Sequence, residues 1–313
     1  MKTLRRPLTA DRLSRRLGVA DDLRRLRAHI TAWIAQSSRD IREALNWQLV
    51  SSPKYFRPLT VFASYRAANS GMVSTAVMRS AVALELFHNV SLIVDDILDR
   101  SRYRRGRLTL HCRFGELRAW MTAGYMTAGG FAMIAGDRYS TQLLAELLQR
   151  LGVAECVQWR LRRRPLTVAD WRAIAREDTG SMFEICARLG TRDSRLRRFG
   201  RLLGTLYHGC DDVADARGAV ALGGGGAEDL RDGILTLPAA IALRNPRVAT
   251  LFQSPSNGSG TRQLRKKFAE ALPQAEVYLD AIAADAIREA HRYAQTPESL
   301  ITLVRHTRAL SAG

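Results

Sequence analysis

Residues 78–99 read MRSAVALELFHNVSLIVDDILD, and the fold follows from how this stretch must be placed. Wound at 3.6 residues per turn it is apolar nearly all round, so it predicts a helix in the middle of a helical bundle and not on its surface. The same winding sets His88, Asp95 and Asp99 along one stripe, with Asp96 just beside it. Carboxylates on a buried helix are costly unless they are paired or bound to metal. Residues 202–215, LLGTLYHGCDDVAD, repeat the arrangement with His208, Asp211, Asp212 and Asp215 on one face. A single aspartate-rich helix end reads as a solvated surface. Two of identical spacing, each following an apolar helical run, point to a site.

The rest of the chain fits an all-α protein. Its 313 residues are 46% hydrophobic, enough to bury a large core as one big helical domain or two small ones. Only 7% are aromatic, while Ala, Leu and Arg dominate, which favours helices. No linker demands a boundary, so residues 1–313 are expected to be one domain, with residues 1–30 as a basic, helical N-terminal segment whose opening MKTLRRPLTADRLSRRLG reads as a surface helix. Breaks are expected at 51–53, 69–71, 104–108, 163–167, 218–226 and 253–260, the last (SPSNGSG) as a flexible loop. The N-terminus lacks the apolar centre of a secretion signal, and no transmembrane span is expected. Cys112, Cys156, Cys186 and Cys210 show no paired spacing, which fits a reducing, cytoplasmic setting. The net charge of +18 attracts anions, whether nucleic acid, acidic membrane surfaces or phosphorylated small molecules. No nucleic-acid motif accompanies it, so no specific nucleic-acid partner is expected, and membrane-surface association would be weak.

Carboxylates at i and i+4 on one helix face can reach a single ion. Magnesium prefers oxygen ligands and is bound through one or two carboxylates plus substrate phosphates. Zinc would want Cys or His, which the clusters lack apart from single histidines. Two such helices across a cavity would clamp ions and a diphosphate, which suits ionisation of a carbon–oxygen bond to diphosphate.

Seven segments, in order along residues 45–240, carry a resemblance. The stretch ELFHNVSLIVDDILDRSRYRRGRLTLHCRFG resembles the first aspartate-rich region of trans-isoprenyl diphosphate synthases. PKYFRPLTVFAS resembles their Gly-Lys-Arg-x-Arg-Pro motif, AGDRYS their Ala-Gly-Asp-Tyr helix start and ECVQW their Glu-x-x-Gln. DTGSMFEICARLG resembles the Lys-Thr-Gly segment, YHGCDDVADA the second aspartate motif, and EDLRDGILTLP the Glu-Gly-Lys segment. The resemblance implies an isoprenoid-synthase bundle around a deep central cavity, usually a homodimer. It implies magnesium, three ions with bound diphosphate, with manganese as a substitute. Asp95, Asp99 and Asp211 would be direct ligands, supported by Asp96, Asp212 and Asp215. Arg104 would contact the allylic prenyl diphosphate. Lys54, Arg57, His88 and Arg105 would bind the diphosphate of isopentenyl diphosphate, and His208 would lie at the substrate.

The pattern also departs from the family. Asp178 stands for the Lys of Lys-Thr-Gly, His208 for Gln, Ile234 for the Lys of Glu-Gly-Lys, Tyr55 for Arg and Pro53 for Gly. The position of a further family lysine falls in the glycine run, near Gly224. Arg176, Arg231 or the backbone of Gly223–Gly226 would be the replacements, or the enzyme has turned to another reaction, and the glycine run itself reads first as a mobile loop. Glu85 and Arg79 are expected to pair with neighbouring helices, and the five tryptophans to fill core or interface. Small Val90 and Ser91, with Phe87 a turn away, imply a tunnel for a product of twenty carbons or more. The leading reading is a prenyltransferase elongating an allylic diphosphate with isopentenyl diphosphate. The alternatives are a class I terpene synthase, which would cyclise or quench, a prenyltransferase using a different acceptor, and a non-catalytic partner subunit, which intact aspartate motifs disfavour.

Overall fold

The stretch 78–99 lies in a helix that runs from Thr75 to Leu98 and is buried on every side over most of its length. In the computed structural model, residues 8–50, 53–218, 226–255 and 257–312 are described; the segment 219–225 takes Gly223–Gly225 and the lysine position near Gly224 outside them. The described residues form seventeen α-helices, a two-stranded hairpin and a closing 3-10 turn. They group into two units.

The first unit is Leu8–Glu146 with Cys186–Ser194. It holds α1 (Ala10–Arg16), α2 (Ala20–Gln36), α3 (Arg39–Val50), α4 (Phe56–Ala68) and α5 (Thr75–Leu98). A hairpin of β1 (Tyr103–Arg104) and β2 (Arg107–Leu108) follows, then α6 (Leu110–Phe114) and α7 (Glu116–Ile134). The boundaries fall within α8 (Arg138–Leu161) and, after α9 (Val168–Glu177), within α10 (Thr179–Thr191). The hub is α5, packed against α2, α3, α4, α6 and α7. Ser74 caps its start by accepting from the Val77 N–H, satisfying one orphan donor of the first turn. Its contact with α7 depends on Gly130, where a Cβ would stand 2.6 Å from Phe87 Cε1. That space lets Phe87 bury fully and meet Phe131 at 4.9 Å between centroids. Phe87→Ala there costs about 3–5 kcal/mol.

The second unit, Leu147–Ile185 with Arg195–Gly313, is built around α11 (Arg197–Ala216). It adds α12 (Gly226–Asp232), α13 (Leu237–Ala242), α14 (Pro246–Gln253), α15 (Asn257–Glu270), α16 (Leu272–Tyr293) and α17 (Glu298–Ala309). The hub α11 packs on α9, α13, α15, α16 and α17. At Gly209 a Cβ would meet Leu279 at 2.6 Å and Trp171 at 3.1 Å, so glycine lets both approach α11. Glu184 of α10 is buried but receives Arg197 at 2.7 Å and Arg201 at 2.8 Å, which keeps a buried charge paired.

Two expectations change. The SPSNGSG segment is not a loop throughout: Asn257–Gly260 form the first turn of α15. The first four N–H groups of a helix need no intrahelical partner, so polar residues and glycine are tolerated there. From Ala10 onward the N-terminal segment is the two helices α1 and α2, turned at Gly18 (φ 68°) with Leu13, Leu17, Val19, Leu23 and Leu26 buried, and not one surface helix. Among the described residues no helix is long and apolar enough to cross a membrane, and the four cysteines are free.

Candidate active site

Asp95 and Asp99 sit at i and i+4 near the end of α5, both half-buried, while Asp96 between them is 2% exposed. Arg104 Nε donates to Asp96 Oδ1 at 2.7 Å. Burial still holds the Asp96 carboxyl above its ordinary range, with Arg104 working against it. The middle aspartate is thus an internal anchor, while the flanking carboxylates of Asp95 and Asp99 keep part of their surface exposed.

Arg104 is carried by the β1–β2 hairpin, in which Arg104 pairs with Arg107 across Arg105 and Gly106. Both loop residues are left-handed, at φ 54° and 76°, as a two-residue turn between twisted strands requires. Glycine does this freely, but an arginine there is strained, and such strain tends to collect at functional positions. The hairpin is held to α3 by Trp47. Its ring lies between the guanidinium groups of Arg107 and Arg113, at 3.7 and 4.1 Å from the centroid, and its Nε1 donates to Leu108 O at 3.0 Å.

Beside the hairpin, Arg57 of α4 donates from Nη1 to His88 Nε2 at 2.9 Å. Arginine has no acceptor, so His88 carries its proton on Nδ1, a buried atom with no partner among the described residues. Burial, then Arg57, Arg105, Arg104 and Lys54, hold the His88 pKa well below its usual value, so the ring is neutral. Tyr55, in place of arginine, is buried at φ 47° with Arg27 over its ring at 5.3 Å. The expected pairing of Glu85 with another helix is corrected: its hydrogen bond comes from Asn89 of its own helix, at 3.3 Å. Buried α5 faces α4 there with an arginine already bonded to His88. Arg79 is exposed.

The second cluster repeats the first. Asp211 and Asp215 are half-buried at i and i+4, and Asp212 between them is buried. Asp212 Oδ2 accepts from Trp171 Nε1 at 2.8 Å and from the Leu237 N–H at 2.7 Å. Trp171 is a core residue, as expected, whereas Trp159 is exposed, with Arg162 stacked on it at 3.9 Å. His208 meets Asp178 Oδ2 at 3.2 Å and Thr179 Oγ1 at 3.0 Å through Nδ1, and its Nε2 lies 3.9 Å from Asp212. Burial opposes its charge, but Asp212 and Asp178 outweigh it and lift the imidazole to about 9. Two separate departures from the family pattern, Asp178 and His208, are therefore one contact. Of the suggested replacement cations, Arg231 forks onto Asp232 with two bonds of 2.7 Å and Arg176 is exposed.

Sequence reading missed Asp229, whose carboxyl is pushed up to about 8 by burial and by Asp212 and Asp215. The signal was its place in EDLRDGILTLP. Among the described residues no three Asp, Glu, His or Cys side chains form a ready-made metal cage. Magnesium needs none, since a few carboxylates and substrate phosphates suffice, and the half-buried Asp95, Asp99, Asp211 and Asp215 are donors of that kind.

Residues 39–271 match the family model described as polyprenyl synthetase. The chain belongs to the polyprenyl synthetase family. A similar relative is the octaprenyl diphosphate synthase of Haemophilus influenzae, 28% identical over 67% of this chain and 68% of that one. Heptaprenyl diphosphate synthase component 2 of Geobacillus stearothermophilus is 29% identical over 74% and 75%. The fold is that of a Caulobacter crescentus polyprenyl synthase solved with calcium and isoprenyl diphosphate: TM-score 0.85, 23% identity, covering 98% of this chain and 99% of that one. Within the polyprenyl synthetase pattern, this chain keeps both aspartate clusters and the Arg57–His88 pair and exchanges the basic residue before α10 for an acid.

Proposed function

We propose that this polyprenyl synthetase joins an allylic prenyl diphosphate to isopentenyl diphosphate, giving a trans-prenyl diphosphate of twenty carbons or more. The observation that carries this reading is the basic cluster of Lys54, Arg57 and Arg105 around His88, for which an enzyme with a single diphosphate substrate has no use. His88 Nδ1–H is a donor for a phosphate oxygen, because Arg57 occupies the other nitrogen. Arginine and lysine donors match diphosphate charge and geometry.

Arg104 would orient the allylic diphosphate, and His208 would lie beside it. Asp95, Asp99 and Asp211 would hold magnesium, with Asp215 in support, while Asp96 and Asp212 fix the helix ends through their buried partners. Magnesium, when bound, would neutralise the charge developing on the leaving diphosphate. The allylic carbon–oxygen bond breaks, the double bond of isopentenyl diphosphate forms the new carbon–carbon bond, and a proton leaves the adduct. The calcium and isoprenyl diphosphate named for the Caulobacter structure support a divalent ion at such a site.

We take the enzyme to be a cytoplasmic homodimer. Leu117 and Met121, 75% and 59% exposed, line one face of α7 with Trp120 and Tyr125, an apolar stripe that suits a second copy. A class I terpene synthase is the second reading, favoured by the Asp178–His208 pair. Product analysis decides. Farnesyl or geranylgeranyl diphosphate with isopentenyl diphosphate should give a longer diphosphate from at least the first, and neither substrate alone a product. A hydrocarbon or alcohol formed without isopentenyl diphosphate would favour the second reading.

A further inference from the structure

Glu85 is a buried charge that the proposed chemistry leaves unused. It stands one turn before His88 and Asn89 on α5 and is 3% exposed. Asn89 Nδ2 bonds one carboxylate oxygen, and Gln48 of α3 donates to Asn89 Oδ1 at 3.3 Å, so the carboxylate is held from one side only. The other oxygen, Oε2, is buried and has no hydrogen-bond partner among the described residues. A buried carboxylate oxygen left unmet costs about 1–3 kcal/mol, more when charged.

The groups facing it narrow what it can do. Arg57 from α4 and Arg105 from the hairpin act on its charge. Tyr55, ahead of α4, and Cys186 of α10 face it too, and burial pushes both up to about 12. His88, on the same helix, is held neutral. Burial, opposed by Arg57, Arg105 and Asn89, pushes Glu85 itself up to about 7. Among these described groups Glu85 is therefore the one that titrates near neutral pH.

We propose that Glu85 is a positioning residue that couples binding of the second diphosphate to uptake of a proton. Before substrate arrives, its carboxylate balances Arg57 and Arg105. When a diphosphate takes up those cations, the added negative charge beside a desolvated carboxylate draws one proton from solution onto Glu85. The neutral acid no longer competes for Arg57, and a proton on Oε2 removes the uncompensated charge from the oxygen that lacked a partner. This rests on the reading of Arg57, His88 and Arg105 as the isopentenyl diphosphate site.

The sign is testable. Glu85 is ionised above its pKa and must gain a proton in the complex, so affinity should fall as pH rises above 7, by up to about tenfold per unit. The last ionisation of the substrate's own diphosphate acts the opposite way, since a more charged ligand binds a basic pocket more tightly. The experiment is calorimetry of isopentenyl diphosphate binding at pH 7 in two buffers of different ionisation enthalpy, with wild type and Glu85→Gln. Wild type should take up about half a proton more than the variant, because a group with a pKa near 7 is half protonated there. The Michaelis constant for isopentenyl diphosphate should rise between pH 7 and 8 in wild type and stay flat in the variant. Equal proton counts in the two proteins would overturn the inference while leaving the pocket assignment intact. Absence of binding to wild type would overturn the assignment and the inference with it. If Glu85→Gln does not fold, the wild-type profile decides alone: affinity that tightens from pH 7 to 8 defeats the proposal.

Discussion

The end of α5 and the end of α11 carry the same five-residue pattern and bury its middle aspartate in the same way, yet their basic surroundings differ. Asp96 is anchored by Arg104 at 2.7 Å, an arginine that the family pattern keeps. Asp212 is anchored by neutral donors, Trp171 Nε1 and the Leu237 N–H, and its nearby cation is His208, which leans on Asp178. The first helix thus retains cations free of acidic replacement, while the second has exchanged a lysine for an aspartate and supplied a histidine to meet it. A motif can be conserved in its carboxylates while the charge around it is rewritten, because the flanking carboxylates answer to the ligand and the middle one answers to the core.

The largest effect should come from the flanking carboxylates. Asp95→Ala and Asp211→Ala should each lower turnover by orders of magnitude with little change in Tm, since both are half-buried at helix ends. Chelator should do the same to wild type. Full turnover in chelator or in either variant would remove the metal mechanism.

The middle aspartates should separate the two helices by stability. Asp212→Ala strands two buried donors, so it should cost about 2–5 kcal/mol of folding stability. Asp96→Ala leaves only a half-exposed arginine and should cost about 1 kcal/mol. Denaturant midpoints of the two variants measure this. If Asp212→Ala unfolds no earlier than Asp96→Ala, the buried bonds to Trp171 and Leu237 are not what holds the end of α11.

The exchanged pair gives a smaller, more specific prediction. Asp178→Lys alone removes one of the carboxylates that raise His208 and sets a lysine against its ring, so it should not improve use of the allylic substrate. Together with His208→Gln it restores the family pattern and should lower the allylic Michaelis constant about tenfold, near the lower bound for one charge-assisted contact. The constant for isopentenyl diphosphate should not move. Equal effects of the single and double variants would show that Asp178 and His208 act independently.

What the sequence made legible follows from which forces are local. An all-round apolar run of helical period can only be a central helix, so α5 could be read directly, and the repeat of its aspartate spacing marked the amphipathic α11 and the stripes of Asp95, Asp99, Asp211 and Asp215. The contact of Asp178 with His208 could not, because thirty residues of sequence separate the partners and each looked like an independent loss. Glu85 was expected to pair across helices, but only the packing of α4 on α5 shows Arg57 committed to His88. The helical turn at Asn257–Gly260 was hidden by a composition that suits loops and first helical turns equally.

Trp47 lies furthest from what periodicity could tell, and it yields the mildest prediction. As a tryptophan on an amphipathic helix it reads as core or interface, but its ring is gripped by Arg107 and Arg113, and its N–H holds Leu108 O. These contacts tie to α3 the strand that follows the left-handed Arg105, and with it the turn that presents Arg104 and Arg105. Each cation–π contact of this exposure is worth about 0.5–1 kcal/mol. Trp47→Leu should therefore raise the Michaelis constants for both diphosphate substrates by about three- to tenfold, while turnover at saturation changes little. Trp47→Phe keeps a ring for the guanidinium groups but loses the bond to Leu108, so it should fall between wild type and Trp47→Leu. A purely structural role would lower the Tm and the fraction of active enzyme and leave both constants at the wild-type value. That result would separate the hairpin from substrate binding and leave α5 as the sole carrier of the first site's charge pattern.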